Sequence, residues 1–275
     1  MEGWMELLPL AVAMLATGVA AGVLAGLLGV GGGIVIVPVL EITLGVMGVD
    51  PAIRMHIAVA TSLSTIILTS ISSTRAHHRR GAVDFGLARA WGLYILGGAV
   101  AGTVLASQLD SSALSLIFAV VAIVVAVKMV LPVGDVRLSD GVPAGLAGKL
   151  PPVFIGGLSC MMGIGGGTLS VPAQTMMGIP MHRAVGTSAL FGLLIALPGA
   201  VTYVVTGWGD PRLPVGNLGY VSLLGLCLIA PMTVLTAPLG AKLAHKLSQR
   251  HLTLAFGVFL LVVAVRMLYR ALMAG

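Results

Sequence analysis

Charged residues are scarce in this sequence. Of its 275 residues, 9% are charged and 58% are hydrophobic, and the mean hydropathy is +1.09. Because a soluble domain carries roughly 25% charged residues, the composition excludes a soluble globular protein. The apolar runs are long and continuous, whereas a membrane β-barrel would show short alternating segments. The chain is therefore predicted to be an all-α integral membrane protein.

Cysteine is also scarce. Cys160 and Cys227 lie in apolar segments without disulfide or metal spacing, and both are predicted to be buried small hydrophobic residues. Apolar segments contain no His, Cys and carboxylate cluster with metal-ligand spacing. Neither glycine-rich stretch follows a strand or precedes Lys-Ser or Lys-Thr, as a nucleotide site would. No metal, cofactor or catalytic residue is predicted.

Basic residues are missing from the N-terminus, which reads MEGWMELLPL. A cleaved signal peptide begins with a basic region, so these residues are predicted to begin the first membrane segment. The net charge of +6 comes mostly from short basic clusters at the ends of apolar runs. Such clusters orient a membrane protein, and a nucleic-acid partner is not needed to explain them.

Two glycine-rich breaks interrupt the apolar sequence. They are GVGGGIVIVP (residues 29–38) and GIGGGTLSVP (residues 163–172). Unpaired backbone groups are very costly in a membrane, so each break must be buried in protein or line a watery cavity. Paired breaks at corresponding positions are typical of a transporter binding site.

The chain also contains an internal duplication. In addition to the breaks, residues 55–62 match residues 181–188, and residues 102–129 match residues 240–267. Three matches in one order predict a single transmembrane domain, residues 1–275, built from repeat 1 (1–135) and repeat 2 (136–275). The predicted apolar segments are 8–29, 34–48, 52–74, 91–109 and 112–131 in repeat 1, and 152–164, 168–179, 183–206, 218–241 and 251–272 in repeat 2.

Each repeat is predicted to contain a glycine-broken helical hairpin and three spanning helices. The basic loop at residues 75–80 is predicted to be cytoplasmic and the turn at residues 110–112 external. In the second half the charges are exchanged, because the equivalent turn at residues 242–251 is basic. This pattern predicts an inverted repeat. Arg266 and Arg270, near an external C-terminus, oppose it, and a continuous broken helix at each glycine site would give parallel repeats.

The glycine breaks are candidate anion sites. Regular helix is predicted to begin close to Pro38 and Pro172, because proline is tolerated in the first turn. The free N–H groups before that turn carry the positive end of the helix dipole. The alternative is that the glycines serve close helix packing. The candidate binding glycines are Gly31, Gly32, Gly33, Gly165, Gly166 and Gly167.

Hydroxyl and basic side chains supply further candidates. Thr61, Ser62, Thr187 and Ser188 lie at matching places after the breaks, and Thr168 lies within the second break. Their hydroxyls can line the cavity or bond back to their own helix. Arg183 can either face the cavity or extend to the lipid headgroups.

Three residues are candidates for coupling transport to protons. Glu41 is an acidic residue well inside an apolar segment, although its repeat equivalent is Thr175. His56 and His182 occupy matching positions, and an interfacial location is favoured for both.

The glycine breaks with their Val-Pro endings, together with Ala60-Thr61-Ser62 and Gly186-Thr187-Ser188, resemble the TauE/SafE family of membrane permeases, also called the toluene sulfonate uptake permease family. The resemblance covers nearly the whole chain. It implies transport of sulfur-containing anions such as sulfite or sulfonates across the plasma (inner) membrane.

The leading hypothesis is a secondary transporter, in its exporter form, that binds a small anion between the glycine tips and alternates access. An anion or proton channel is the first alternative, and a membrane enzyme or assembly factor is the second. The expected partners are the small anion and the lipid bilayer, and a homo-oligomer is left open. Substrate identity, direction and coupling ion are not determined by the sequence.

Overall fold

The computed structural model describes residues 2–28, 31–130, 139, 141–143, 145–243 and 249–273. Gly29, Lys246 and the repeat boundary at 135–136 lie outside these residues. The helices are α1 (Glu2–Leu28), α2 (Gly33–Val46), α3 (Pro51–His78), α4 (Phe85–Ala106), α5 (Ser111–Val130), α6 (Leu146–Met162), α7 (Gly167–Met176), α8 (Met181–Thr206), α9 (Leu223–Leu243) and α10 (Gln249–Met273). A short antiparallel hairpin, β1 (Asn217–Leu218) and β2 (Val221–Ser222), precedes α9.

The fold is helical, as predicted. Five helices in the described part of the chain are long and apolar enough to cross a membrane, namely α3, α4, α5, α8 and α9. Of these, α3 is the most enclosed, with 72% of its apolar window buried. Helix α3 also contacts α2, α5, α6, α8 and α9, and it therefore lies at the centre of the bundle.

Local capping explains where two helices begin. Helix α4 begins at Phe85, earlier than predicted, because the Asp84 carboxylate accepts the Leu87 N–H at 3.0 Å and caps the helix. Helix α9 begins at Leu223, later than predicted, because the β-hairpin occupies the preceding residues. That hairpin turns at Gly219, whose φ of +53° favours glycine.

The predicted helix starts at the two prolines are wrong. Helix α2 begins at Gly33 and α7 at Gly167, five residues before Pro38 and Pro172. Each proline therefore lies inside its helix, where the missing N–H leaves a carbonyl of the first turn without its helical donor. The glycine tips are thus immediately followed by helix.

Helix packing follows the duplication. If α1–α5 are matched in order with α6–α10, then α1 corresponds to α6 and α9 corresponds to α4. The contact between α1 and α9 should then have a counterpart between α6 and α4, and both contacts are observed. The details also correspond: a Cβ on Gly22 would contact Thr233, and one on Gly156 would contact Ile95. The pairs α3 with α8 and α5 with α10 join equivalent helices.

Equivalent helices run antiparallel where they meet. On α3 and α8, Leu63 lies beside Gly199 and Ser70 lies beside Gly192. On α5 and α10, Val130 lies beside Gly257, while the start of α5 and Arg270 line one pocket. Each of these two helix pairs is therefore antiparallel.

The two ends of the bundle differ in charge. One end, called the basic end below, is where α3 ends and α8 begins, and it carries Arg75, Arg79, Arg80, Arg89, Lys128 and Arg183. The opposite end, called the aspartate end, carries Asp50, Asp110 and Asp210. Arg54, Arg212, Arg266 and Arg270 also lie toward the aspartate end, so acidic and basic residues are mixed there.

Candidate functional site

The two glycine tips meet in the middle of the bundle. A Cβ placed on Gly31 would lie 3.2 Å from the Cα of Gly165, so a side chain at this contact would be crowded. Gly31 and Gly165 occupy the same position in the two breaks. Gly31 and Gly32 also have positive φ angles of 79° and 74°, which favour glycine.

A cavity of ≈ 130 Å³ lies between the tips and the basic end. Gly31, Gly165, Gly166 and Gly167 form its inner wall. Its polar side chains come from α3, its following turn and α8, and they are Thr69, Ser70, Ser72, Ser73, His77, Arg80 and Ser188. A single water needs only about 10–15 Å³ measured in this way, so the cavity has room for a small hydrated ion.

The cavity wall includes the N-terminus of α7. Among the described residues, no side chain caps α7 or α2. The N–H groups of a first turn have no partner within their own helix, and they carry the positive end of its dipole. Since Gly166 and Gly167 line the cavity, α7 presents a place where an anion is favoured.

The N-terminus of α2 is packed instead of open. A Cβ on Gly32 would contact the backbone of Ala21, and one on Gly33 would lie 2.9 Å from the hydroxyl of Ser62. Ser62 itself donates to the Gly163 carbonyl at 2.7 Å. Gly32, Gly33 and Ser62 therefore lie outside the cavity lining in this conformation.

A buried polar cluster lies behind the α7 side of the cavity. The hydroxyls of Ser170 and Ser188 are 2.5 Å apart, and Gln174 Nε2 donates to Ser188 Oγ at 2.8 Å. Thr168 Oγ1 is buried without a hydrogen-bond partner among the described residues. The first break has Ile36 and Leu40 where the second has Ser170 and Gln174, so the two sides are chemically unequal. Sequence analysis did not identify Gln174.

Thr61 and Thr187 join the halves. Thr61 Oγ1 accepts the Ser222 N–H, and Thr187 Oγ1 accepts the Asp84 N–H, both at 2.9 Å. Ser222 and Asp84 are the residues just before α9 and α4. Each threonine therefore holds the start of a helix from the opposite half, and neither lines the cavity.

The predicted charged candidates lie away from the cavity. Arg183 forms an ion pair with Asp84 at 3.7 Å and is half exposed, and His182 is exposed at the start of α8. Glu41 accepts from Arg270 at 2.5 Å, which joins the two halves toward the aspartate end. This pair also gives the charge of Arg270 a partner.

Arg80 and His77 are cavity residues that the sequence reasoning missed. They belong to the basic cluster at residues 75–80, which was interpreted only as a signal for orientation. Their place at the basic-end mouth of the cavity follows from the tertiary packing of α3 against the hairpin tips. A positive mouth raises the local concentration of anions.

An aromatic cluster closes the aspartate end. The ring of His56 lies 5.1 Å from that of Tyr220 and 6.4 Å from that of Tyr203. The interfacial location of His56 stays a prediction; the side chain lies near the start of α3, where it is packed inside the bundle and is 4% exposed. If Thr61 is aligned with Thr187, Tyr203 corresponds to His77. If the start of α4 is aligned with the start of α9, Tyr220 corresponds to Ala82. His77 and Ala82 lie at the basic end, which therefore lacks the two tyrosines of the aspartate end.

An ion pair outside the spanning helices supports this cluster. Arg212 donates to both carboxylate oxygens of Asp210, at 2.9 and 2.7 Å, and the Tyr220 hydroxyl donates to Asp210 at 3.2 Å. The hydrogen bonds from Arg212 lower the pKa of Asp210 from 3.8 to about 2. Asp210 is therefore ionised at neutral pH.

The cysteines have different environments. Cys160 is buried as predicted, and its thiol lies 3.2 Å from the Ile195 carbonyl. The prediction for Cys227 is wrong, because Cys227 is exposed in a groove beside α3 and α9.

Comparison with known proteins gives a consistent result. A family model described as "Sulfite exporter TauE/SafE" matches residues 14–267. A probable membrane transporter protein of Haemophilus influenzae is 35% identical over 253 residues, covering 92% of this chain and 96% of that protein. No solved structure matches the chain significantly.

More distant relatives have the same kind of name. A probable membrane transporter protein of Methanocaldococcus jannaschii is 28% identical, covering 95% of this chain and 96% of that protein. A probable membrane transporter protein of Bacillus subtilis is 27% identical, covering 95% of this chain and 98% of that protein. With the apolar helices, these matches identify a multi-pass membrane protein of a transporter family, not an enzyme. The chain belongs to the TauE/SafE family.

Proposed function

We propose that this protein is a secondary transporter of the plasma membrane that exports small sulfur-containing oxyanions, such as sulfite or organosulfonates. The observation that carries the proposal is the cavity between the glycine tips, which combines the bare N-terminus of α7 with hydroxyl donors and Arg80. The anion binds there from the basic end and leaves at the aspartate end. The name of the matching family supports export of sulfite.

The chain forms one transmembrane domain, residues 1–275, of two inverted repeats, 1–135 and 136–275. The antiparallel pairing of α3 with α8 and of α5 with α10 supports inversion, because parallel repeats would align equivalent helices. The basic end is cytoplasmic, as the excess of arginine and lysine there favours. Arg270 lies toward the external end, where a basic residue opposes this orientation, but its charge is paired with that of Glu41.

The binding residues are divided between contact and support. Gly31, the three glycines at 165–167 and Ser188 contact the anion, together with Ser70. Hydroxyl and backbone donors suit an oxyanion, since charge-assisted hydrogen bonds are roughly twice as strong as neutral ones. Thr168 lies in the first turn of α7, and its buried hydroxyl, which has no partner among the described residues, is a further donor to the anion. Thr61 and Thr187 hold the helix starts of the opposite half.

One end of the proposed path holds a cavity and the other is closed by packed side chains. Alternating access accounts for this difference better than a channel does. The cavity opens toward the basic end and stops at the contact between Gly31 and Gly165. Beyond that contact, His56, Tyr203 and Tyr220 fill the path. A channel requires a continuous pore in its conducting state. With no nucleotide motif in the sequence, an ion gradient, the membrane potential or the anion gradient drives transport.

The test replaces one arginine at the cavity mouth. In proteoliposomes, Arg80→Gln should reduce the apparent affinity for sulfite up to about ten-fold. Arg80 lies at the cavity mouth and attracts the anion through its charge, which is weaker than a direct charge-assisted hydrogen bond of about 1.5–3 kcal/mol. Arg79→Gln is the matched control, because Arg79 is exposed on the same helix end but lines the neighbouring groove. Equal sulfite fluxes in the two variants at all concentrations would remove Arg80 from the site.

Binding is measured separately from flux. A small anion that binds the folded state raises the apparent stability of the purified protein. Sulfite, sulfoacetate and acetate are compared by thermal shift. Saturating flux with counter-transport distinguishes a transporter from a channel, and absence of both binding and flux for every sulfur oxyanion would reject the proposed function.

A further inference from the structure

The pseudo-symmetry of the molecule predicts where the second half of the anion path lies. Alternating access in inverted repeats exchanges the conformations of the two halves. The residues that line the open cavity are therefore replaced, in the other state, by their counterparts in the opposite repeat. This argument rests on the proposed function.

The counterparts can be read from matched anchors. Gly31 matches Gly165 at the tips, and Thr61 matches Thr187 in the contacts that hold the helix starts. Counting from these anchors, the cavity residues Ala25, Gly26, Ser73, His77 and Ser188 correspond to Ser159, Cys160, Gly199, Tyr203 and Ser62.

These counterparts form one contiguous closed region. A Cβ on Gly199 would lie 2.7 Å from Cys160 Sγ, and Tyr203 follows Gly199 by one helical turn. Ser62 binds the carbonyl of Gly163, at the end of the helix that carries Cys160. The region thus extends from the glycine tips toward the aromatic cluster at the aspartate end.

An independent observation points to a ligand in this region. Ser159 Oγ and the Tyr203 hydroxyl are buried, and neither has a hydrogen-bond partner among the described residues. Both side chains are 0% exposed. Buried hydroxyls are nearly always hydrogen-bonded, and leaving one unpaired costs about 1–3 kcal/mol. These two hydroxyls gain partners if water or an oxyanion enters when the region opens.

We infer that Ser62, Ser159 and Tyr203 line the aspartate-end half of the path for a small oxyanion. Cys160 lies among them and becomes accessible to water in the open form of that half. The packed N-terminus of α2, at Gly32 and Gly33, then faces the anion as the N-terminus of α7 does in the present state.

The native Cys160 provides a direct probe. The parent for this experiment is Cys227→Ala, which removes the exposed thiol from a groove outside the path. In proteoliposomes, a membrane-impermeant charged methanethiosulfonate reagent is added to either side in separate experiments. The control chain is Cys160→Ala, Cys227→Ala, Ser73→Cys, which places the thiol in the open cavity.

Cys160 should react from the aspartate end, and Ser73→Cys from the basic end. Since a minor conformation is typically populated at 0.1–10%, Cys160 should react about 10- to 1000-fold more slowly than Ser73→Cys. Sulfoacetate at saturating concentration should slow both reactions, because the anion occupies the path. Sulfite is not used for this step, since it cleaves methanethiosulfonates and disulfides.

The outcomes separate the inference from the proposed function. Sulfite transport by the parent with Cys160 inert from both sides, or reactive faster from the basic end, would overturn the inference and leave the transporter proposal standing. Aspartate-end labelling of Cys160 in a parent that neither binds nor moves sulfur oxyanions would support the path and reject the proposed cargo.

Discussion

At the scale of single residues, some equivalent positions in the two halves share a role and others do not. Thr61 and Thr187 keep the same task, since each accepts a backbone N–H from the opposite half. Ser62 and Ser188 do not: Ser62 is bound to a carbonyl, while Ser188 lines the cavity with Gln174 behind it. The proposed anion site is therefore asymmetric in this state, although the sequence motif that builds it is duplicated.

Asp210 yields a pH prediction outside the membrane. Its pKa is lowered to about 2 by Arg212, so the folded state favours the ionised carboxylate. The stabilisation is complete above the ordinary pKa of 3.8 and is lost as the pH falls toward 2. Thermal unfolding in detergent should show the parent melting above Asp210→Asn by a constant margin from pH 7 to 5, and that margin should shrink as the pH falls from about 4 toward 2.

A control for this prediction is Arg212→Gln, which removes the partner of Asp210 and should melt like Asp210→Asn near neutral pH. A margin that already disappears between pH 7 and 5 would mean that another group controls the aspartate end. The Tyr220 hydroxyl also donates a hydrogen bond to Asp210, so both variants change the surroundings of Tyr220 as well.

At the scale of helices, close packing depends on small residues facing a neighbouring backbone. On α4, a Cβ on Gly98 would meet the backbone of Val153 on α6, with atoms within 2.9 Å, whereas one on Gly97 would meet nothing within 4 Å. The two glycines are neighbours in sequence, and their environments are opposite. They provide a matched pair for testing the packing of α4 on α6.

Gly98→Ala should lower the stability of the protein by about 1–3 kcal/mol, the usual cost of overpacking. Gly97→Ala should be neutral or slightly stabilising, because alanine favours helix over glycine. Thermal unfolding of the two purified variants in the same detergent gives the comparison. Equal melting temperatures for both would contradict the packing of α4 against α6.

Much of the helical layout could be predicted from the sequence, because apolar runs and their punctuation are local properties. All ten predicted segments correspond to helices in the described part of the chain. The predicted segments at residues 34–48 and 168–179 begin within one residue of the helix starts at Gly33 and Gly167. The expectation that regular helix begins close to the prolines was wrong, because each proline lies five residues inside its helix. The hairpin at residues 217–222 was missed because two-residue strands have no periodic signal.

The candidate site was only partly predictable, since it depends on distant contacts. Gly31 and the glycines at 165–167 were identified because their motif is unusual in apolar sequence. Arg80 and His77 were not, because a basic loop after a spanning helix has an ordinary role in orientation. Their position beside the tips is set by the packing of α3 against elements far away in sequence.

At the scale of the whole molecule, the proposed path is open at one end. The basic end has the cavity and the positive mouth, and the aspartate end has the aromatic cluster and the Asp210–Arg212 pair. In the proposed mechanism, exchange between these arrangements moves an anion across without a continuous pore. Transport of this kind requires an anion in the space between the tips.

Selenite provides the most direct measurement, because it is the selenium analogue of sulfite and can be located by anomalous diffraction. In crystals grown with selenite at a concentration that saturates transport, we predict an anomalous peak within hydrogen-bonding distance of the α7 N-terminus at Gly166 and Gly167, and near Ser70 and Ser188. A peak elsewhere, with the space between the tips free of selenium, would contradict the account.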